Sequence, residues 1–313
     1  VAILKILVTA ADSFLGRNLI ESLIREDDVV VGLSRRHGLI PRPLRENESN
    51  VMFWGGNLTN PANIEYIYKA FQPDLIYHLA AKSSQSSDDP EDTFLNNVIS
   101  TRHLIEMAPE GCRFVFSSSS NVYGDSQHDW GLGFIESDPL RPTNLYGCSK
   151  AACENLVNTY TSLGKIRGTS IRFSAIVGKG ATHGALPAII KKVKSNSEFV
   201  ELIGKSPGSR KSYLSVEKAV EVLQKVASYP KARNVYNAGG CGTVSILEIY
   251  NRINAIENDQ ESAAKRLKWS GSYWKGDNIF SLLDNYLIEY DLNIGIDSSS
   301  EYIQKAIEDI IKE

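Results

Sequence analysis

Tyr146 and Lys150 are four residues apart in the run Tyr146-Gly147-Cys148-Ser149-Lys150. On a helix that spacing puts both side chains on one face. An ammonium beside a phenol favours the phenolate, so Lys150 is expected to lower the Tyr146 pKa from about 10 toward the working pH. Tyr146 would then serve as a general acid or base. Upstream, Phe114-Val115-Phe116 runs into Ser117, Ser118, Ser119, Ser120 and Asn121, a row of hydroxyls at the carboxyl end of an expected strand. Open α/β sheets bind ligands at that edge. A serine there can hydrogen-bond a sugar hydroxyl or a ketone while the tyrosine moves the proton. Taken singly, the tyrosine also reads as packing and the serines as a capping turn.

A third cluster lies near the start of the chain. The apolar run Ile3 to Val8 leads into Thr9, Ala10, Ala11, Asp12, Ser13, Phe14, Leu15 and Gly16, followed by a helical pattern. A dinucleotide-binding turn belongs at this point, because backbone N–H groups and a helix N-terminus must approach a pyrophosphate. Ala10 and Ser13 stand where glycine is usual, and Gly16 remains as the residue that lets helix and strand close together. A left-handed Ala10 would cost about 1–2 kcal/mol. About 20 residues on, the second strand ends at Ser34, Arg35 and Arg36, where an acidic residue would bind the ribose hydroxyls of NAD. Guanidinium groups suit the 2′-phosphate of NADP instead. Surface charge after an apolar strand is the competing reading.

These groups need a scaffold, and the rest of the chain describes one. Near-continuous apolar runs at Ile3 to Val8, Val29 to Leu33, Val51 to Trp54, Leu75 to Leu79, Arg113 to Ser117 and Thr169 to Phe173 read as strands covered on both faces. Helical spacing of Leu15, Leu19, Leu23 and Ile24, and the stretches Asp92 to Met107 and Tyr146 to Leu163, supply helices between them. The alternation predicts an α/β fold, a doubly wound parallel sheet of Rossmann type, over residues 1–177. Glycines at 178, 180 and 184 and Pro187 mark the start of a smaller, mainly helical domain over 178–313, with segments within about 212–240 returning to the first.

A length of 313 residues fits about two domains, and 42% hydrophobic with 23% charged residues matches a globular chain. Mean hydropathy is -0.21. With 34 Lys+Arg against 37 Asp+Glu, the net charge of -3 provides no basic field for nucleic acid or an anionic membrane. The first apolar stretch is broken by Lys5 and Thr9, so neither a signal peptide nor a membrane span is expected there. Cys112, Cys148, Cys153 and Cys241 lack CxxC spacing and a nearby histidine, which argues against a metal site or disulfide framework and for a reducing cytoplasm.

Together the motifs resemble the extended short-chain dehydrogenase/reductases of the NAD-dependent epimerase/dehydratase family, which modify nucleotide sugars. The resemblance spans most of the chain. It rests on Lys5-Ile6-Leu7-Val8-Thr9, Pro73-Asp74-Leu75-Ile76-Tyr77-His78-Leu79-Ala80-Ala81, Asn97-Val98, the Ser-rich strand ending Val122-Tyr123-Gly124, and Tyr146 to Lys150, all in the family's order. It implies Tyr146 as acid/base, Lys150 as the residue that holds the nicotinamide ribose, and Ser119 as the hydroxyl partner. It places Asn57 and Leu58 near an adenine, with Leu79, Ala80, Ala81, Lys82, Asn97 and Ser117, and later Phe173 and Ala175, bordering the cofactor. Substrate contacts are expected from Ser83, Ser119, Ser120 and Asn121, and either Arg210 or Lys211 would grip a diphosphate. The family commonly forms homodimers through two helices per subunit, here 92–108 and 147–163.

Departures from the pattern narrow the expected chemistry. Ser120 and Asn121 stand where the family's 4,6-dehydratases carry an Asp-Glu pair, so dehydration is not expected. Ala175 replaces a common substrate-binding Asn. The leading expectation is reduction of a 4-keto sugar nucleotide with hydride from NADPH and a proton from Tyr146. A 4-epimerase with tightly held NAD is the first alternative. A catalytically inactive NAD(P)-binding sensor is the second, and the intact Ser119, Tyr146 and Lys150 argue against it.

Overall fold

The structure is a computed structural model that describes residues 3–24, 28–35, 42–43, 50–83, 89–125, 131–195, 197–257 and 260–312. Its main sheet is built from β1 (Lys5–Thr9), β2 (Val29–Ser34), β3 (Arg42–Pro43), β4 (Val51–Gly55), β5 (Leu75–His78), β6 (Cys112–Ser119), β7 (Ile166–Phe173) and a late strand, β12 (Val235–Ala238). The spatial order is β12-β7-β6-β5-β1-β2-β4-β3. Every neighbouring pair is parallel except β3 with β4. The chain winds outward from β1 in one direction and then, from β5, in the other. That reversal opens a crevice beyond the carboxyl ends of β1 and β5.

Side-chain alternation in β1 shows why the strands read as continuously apolar. Ile6 and Val8 enter one buried cluster with Leu19 and Ile20, and Leu7 enters another with Val31, Ile64 and Phe114. Both faces of the sheet are therefore covered. The covering helices include α1 (Phe14–Leu23), α2 (Pro61–Phe71), α3 (Pro90–Phe94), α4 (Ser100–Met107) and α5 (Leu145–Ser162). The helix expected over 92–107 starts earlier, at Pro90 behind an Asp89 cap, and is interrupted by a π-helical turn at Leu95–Ile99.

Beyond residue 174, short strands alternate with helices: β8 (Ala175–Val177), α6 (Ala185–Lys194), β9 (Val200–Leu202), β10 (Arg210–Lys211), β11 (Tyr213–Ser215) and α7 (Val216–Ser228). After β12 come β13 (Val244–Ser245), α8 (Ile246–Ile256), α9 (Gln260–Arg266), β14 (Leu267–Trp269), β15 (Phe280–Ser281), α10 (Tyr286–Leu292) and α11 (Ser299–Ile311). Capping boxes at Ser245/Glu248 and Ser298/Glu301 start α8 and α11. α7 packs on α1, and β12 pairs with β7, so this part of the chain lies on the first sheet. Strand β10 lies between β13 and β15 and ties the C-terminal segments together. Among the described residues, no helix is long and apolar enough to cross a membrane. Among the same residues, no group of three or more His, Cys, Asp or Glu is placed to hold a metal ion.

Candidate active site

α5 begins at the carboxyl edge of the sheet, and its first turns carry Tyr146 and Lys150. Asn144 caps it, accepting a hydrogen bond from the Gly147 amide at 2.8 Å. Gly147 is required there, because a Cβ would lie 2.4 Å from the carbonyl oxygen of Asn121. The helix is thereby pressed against the turn that follows β6. Lys150 is 2% exposed, its Nζ donates to the Ser117 carbonyl at 2.6 Å, and it lies 4.6 Å from the centre of the Phe116 ring and 5.8 Å from that of Tyr146. Ser119, at the end of β6, lies close enough to Tyr146 to favour its phenolate. Residues read from two separate motifs thus meet at one point.

The electrostatics correct one expectation. Burial pushes the Tyr146 phenol up to about 12, Ser119 opposes this, and Cys153 adds to the rise. Burial outweighs the effect of the charge on Lys150, whose ammonium donates to the Ser117 carbonyl. Its own ammonium is pulled down to about 8 by burial, against the attraction of Cys153 and Glu154. Desolvation, which neighbour counting along a sequence omits, dominates both groups.

The loop between β1 and α1 has the form needed to meet a pyrophosphate. Ala10 is left-handed, with φ of 52°. Ser13 caps α1 by accepting from the Gly16 amide at 3.1 Å. That leaves the first-turn amides of Phe14 and Leu15 without a protein acceptor among the described residues. Gly16 lets the turn close. Thr9, expected to touch the cofactor, also shapes the crevice wall. Its buried hydroxyl accepts from the Leu79 and Ala80 amides, both at 3.0 Å, and meets His78 Nδ1 at 2.9 Å. With its lone pairs occupied, Thr9 donates to Nδ1, so His78 Nε2 carries the proton and donates to Thr101 at 2.9 Å. The row of buried polar groups locks β1 to β5 and so sets the crevice between them.

The remaining expected residues divide in the same way. Leu79, Ala80, Ala81 and Lys82 are partly exposed along the crevice, Asp12 is partly exposed in the loop, and Ser83 is exposed. Asn97 is buried; its Oδ1 accepts from the Lys82 amide at 2.7 Å and its Nδ2 donates to Ser149 at 2.8 Å, so it ties the crevice wall to α5. Lys82 pairs with Asp92, whose carboxyl is held below the usual range by that bond and, more weakly, by Arg35. Arg35 is exposed at the end of β2, and Arg36 lies outside the described residues. Asn57 is exposed and its side chain closes the turn to Thr59, while the Leu58 side chain packs into the core. Phe173 is buried at the end of β7, and Ala175 is exposed. Ser120 and Asn121 are buried, with the Asn121 amide bonded to Ser119 and Asn278. Arg210 pairs with Glu248 and Lys211 with Asp277, so each expected phosphate ligand already has a carboxylate partner.

Sequence reasoning missed a buried ion pair beneath the site. Arg172 on β7 reaches Glu154 on α5 through Nη2 at 2.7 Å and through Nε at 3.0 Å. Its Nη1 donates to the Tyr123 hydroxyl at 2.7 Å and to the Glu136 carbonyl at 3.0 Å. Burial would lower the Arg172 pKa, but the hydrogen bond and charge of Glu154 raise it above the usual guanidinium range. An arginine inside an apolar strand, and a glutamate one helical turn beyond Lys150, were the available signals.

Several known proteins resemble the chain. D-erythronate dehydrogenase of Haemophilus influenzae is 27% identical over 208 residues, 65% of this chain; the match spans 62% of that enzyme, less than two thirds of its length. Protein CapI of Staphylococcus aureus is 24% identical over 293 residues, covering 84% of this chain and 85% of that protein. Among solved structures, UDP-glucuronic acid 4-epimerase from Bacillus cereus, in complex with UDP-glucuronic acid and NAD, shares the fold with a TM-score of 0.84 at 21% identity, over 98% of this chain and 99% of that one. The sequence profile of the NAD dependent epimerase/dehydratase family matches residues 6–239, most of the chain, and the protein belongs to that family.

Proposed function

We propose that the protein reduces a ketone, at C4 of a nucleotide-linked sugar, with Tyr146 as the proton donor. The observation that carries this reading is the meeting of Ser119, Tyr146 and Lys150 at the carboxyl edge of the sheet that also carries the β1–α1 loop. NADPH, when bound in the crevice, would supply the hydride. The amides of Phe14 and Leu15 would hold its pyrophosphate at the α1 N-terminus, Arg35 its 2′-phosphate, and Lys150 the nicotinamide ribose. Ser119 steadies the substrate oxygen as Tyr146 protonates it. A phenol held near 12 is protonated at neutral pH, the form a reductase needs at the start of its cycle. Of the two basic candidates, Lys211 suits the substrate diphosphate better, because its partner Asp277 adjoins Asn278, whose side chain reaches Asn121 in the site. We further assign the cofactor to residues 1–177 and the substrate largely to 178–313, and propose a cytoplasmic homodimer formed through the helices within 92–108 and 147–163.

The test is to denature the purified protein, identify any nucleotide it releases, and assay NADPH oxidation with nucleotide 4-keto-6-deoxy sugars. NADPH consumption with exchangeable cofactor is expected. Stoichiometric release of NAD with no NADPH consumption would replace the reductase reading with a 4-epimerase. Failure to bind either NADPH or NADH at millimolar concentration would overturn both enzyme readings and point to a protein that has abandoned the cofactor.

A further inference from the structure

We propose that Asn121 is a positioning residue whose side-chain amide, held in place by Asn278, fixes the Ser119 hydroxyl as a hydrogen-bond donor toward the Tyr146 oxygen. The proposal rests on the acid–base role assigned to Tyr146 above. A serine hydroxyl has one proton and two lone pairs. Ser119 Oγ accepts from the Asn121 backbone N–H and from Asn121 Nδ2, each at 3.2 Å. With both lone pairs taken, the proton of Ser119 is left for its third neighbour, Tyr146. A donor aimed at that oxygen stabilises the phenolate left behind when the proton departs.

The direction of this chain is set from far away in sequence. Asn121 Oδ1 accepts from Asn278 Nδ2 at 3.0 Å, and Asn278 Oδ1 accepts from the Thr143 hydroxyl at 2.8 Å. Asn278 is 2% exposed, so solvent does not compete for its amide. Its segment is anchored on both sides: Lys211 pairs with Asp277, Asn144 Nδ2 donates to the Gly276 carbonyl at 3.0 Å, and the Phe280 amide donates to Asp125 at 2.8 Å. The C-terminal part of the chain thus orients a serine on the first sheet through two amides. The ionisable groups that act on Tyr146 besides this chain are Lys150 and Cys153, both on α5.

The experiment introduces a single fluorinated tyrosine at position 146 and follows its ionisation by fluorine NMR in the wild type, Asn121→Ala and Asn278→Ala. Both variants should raise the midpoint, Asn121→Ala by about one pH unit or more, as loss of a hydrogen bond to a charged group requires. In turnover, kcat should fall about tenfold with KM unchanged. An unmoved midpoint in both variants overturns the proposal, and so does a raised KM with kcat intact, which would make Asn121 a substrate contact. Should Asn121→Ala fail to fold, as judged by its thermal transition, Asn278→Ala decides, since it lies outside the turn after β6. An absence of turnover in the wild type would count against the reductase reading alone, because the titration needs no catalysis.

Discussion

Gly16 faces the carbonyl oxygen of Ala10 so closely that a Cβ on Gly16 would lie 2.2 Å from it. The contact forces the turn to double back, and Ala10 absorbs the strain with its left-handed backbone. Helix α1 gains a start directly against the end of β1, which aims its first amides at the crevice.

Gly16→Ala should therefore cost about 1–3 kcal/mol or more, since the clash is with backbone that cannot rotate away. Ala10→Gly should be neutral to stabilising: it relieves about 1–2 kcal/mol of left-handed strain and loses roughly 0.4–1 kcal/mol to a freer unfolded chain. Urea midpoints measure both. A large loss on Ala10→Gly would mean that the methyl group packs rather than strains.

The chemistry that was legible in the sequence is local. Tyr146 and Lys150 declare themselves by i, i+4 spacing, and Ser119 by a row of hydroxyls closing an apolar run. A motif places a residue near a site but does not say where its side chain points. The motifs that carry Thr9, Asn97 and Phe173 do not show that these side chains hold β1 to β5, the crevice wall to α5, and the core together. Asp277 and Asn278 come from an irregular stretch before a two-residue strand, without periodicity to mark them. The spacing of Tyr146 and Lys150 points to a lowered phenol pKa, and burial reverses it because desolvation, unlike a neighbouring charge, is not written along a chain.

The Glu154–Arg172 pair should matter more when broken than when replaced. Its side chains are only 8% and 6% exposed, so either partner alone becomes an unpaired buried charge. Glu154→Leu or Arg172→Met alone should cost about 3–5 kcal/mol, whereas the double variant should cost far less than the sum. Denaturant unfolding of all four proteins gives the coupling. Additive losses would show that the charges act independently.

His78 should make the protein sensitive to acid. Burial, helped by the charge of Lys150, holds its imidazole neutral down to about pH 3, against about 6.5 in an unfolded chain. Its contribution is complete above pH 6.5 and is lost as pH falls toward 3, at about 1.4 kcal/mol per unit, because only the unfolded state takes up the proton in that window. Unfolding free energies between pH 6.5 and 4 should fall more steeply for the wild type than for His78→Asn, which cannot ionise. Equal slopes would assign acid sensitivity to other groups.

Lys150 should set an alkaline limit on turnover. Its ammonium is held near 8 by burial, although Cys153 and Glu154 favour the charged form. Above that pH it is neutral, and both its hold on a ribose and its charge near Tyr146 weaken. With Tyr146 starting protonated, the reductive rate should stay flat through neutrality and fall about tenfold per pH unit beyond about 8. Lys150→Arg retains its charge far into the alkaline range, so the decline should move to higher pH even if the rate drops because the guanidinium fits the Ser117 carbonyl poorly. Lys150→Met should lose both the limb and about 10²–10⁴-fold in rate. A decline at the same pH in Lys150→Arg would place the titrating group elsewhere, and the deprotonation of Tyr146 itself would be the first to examine.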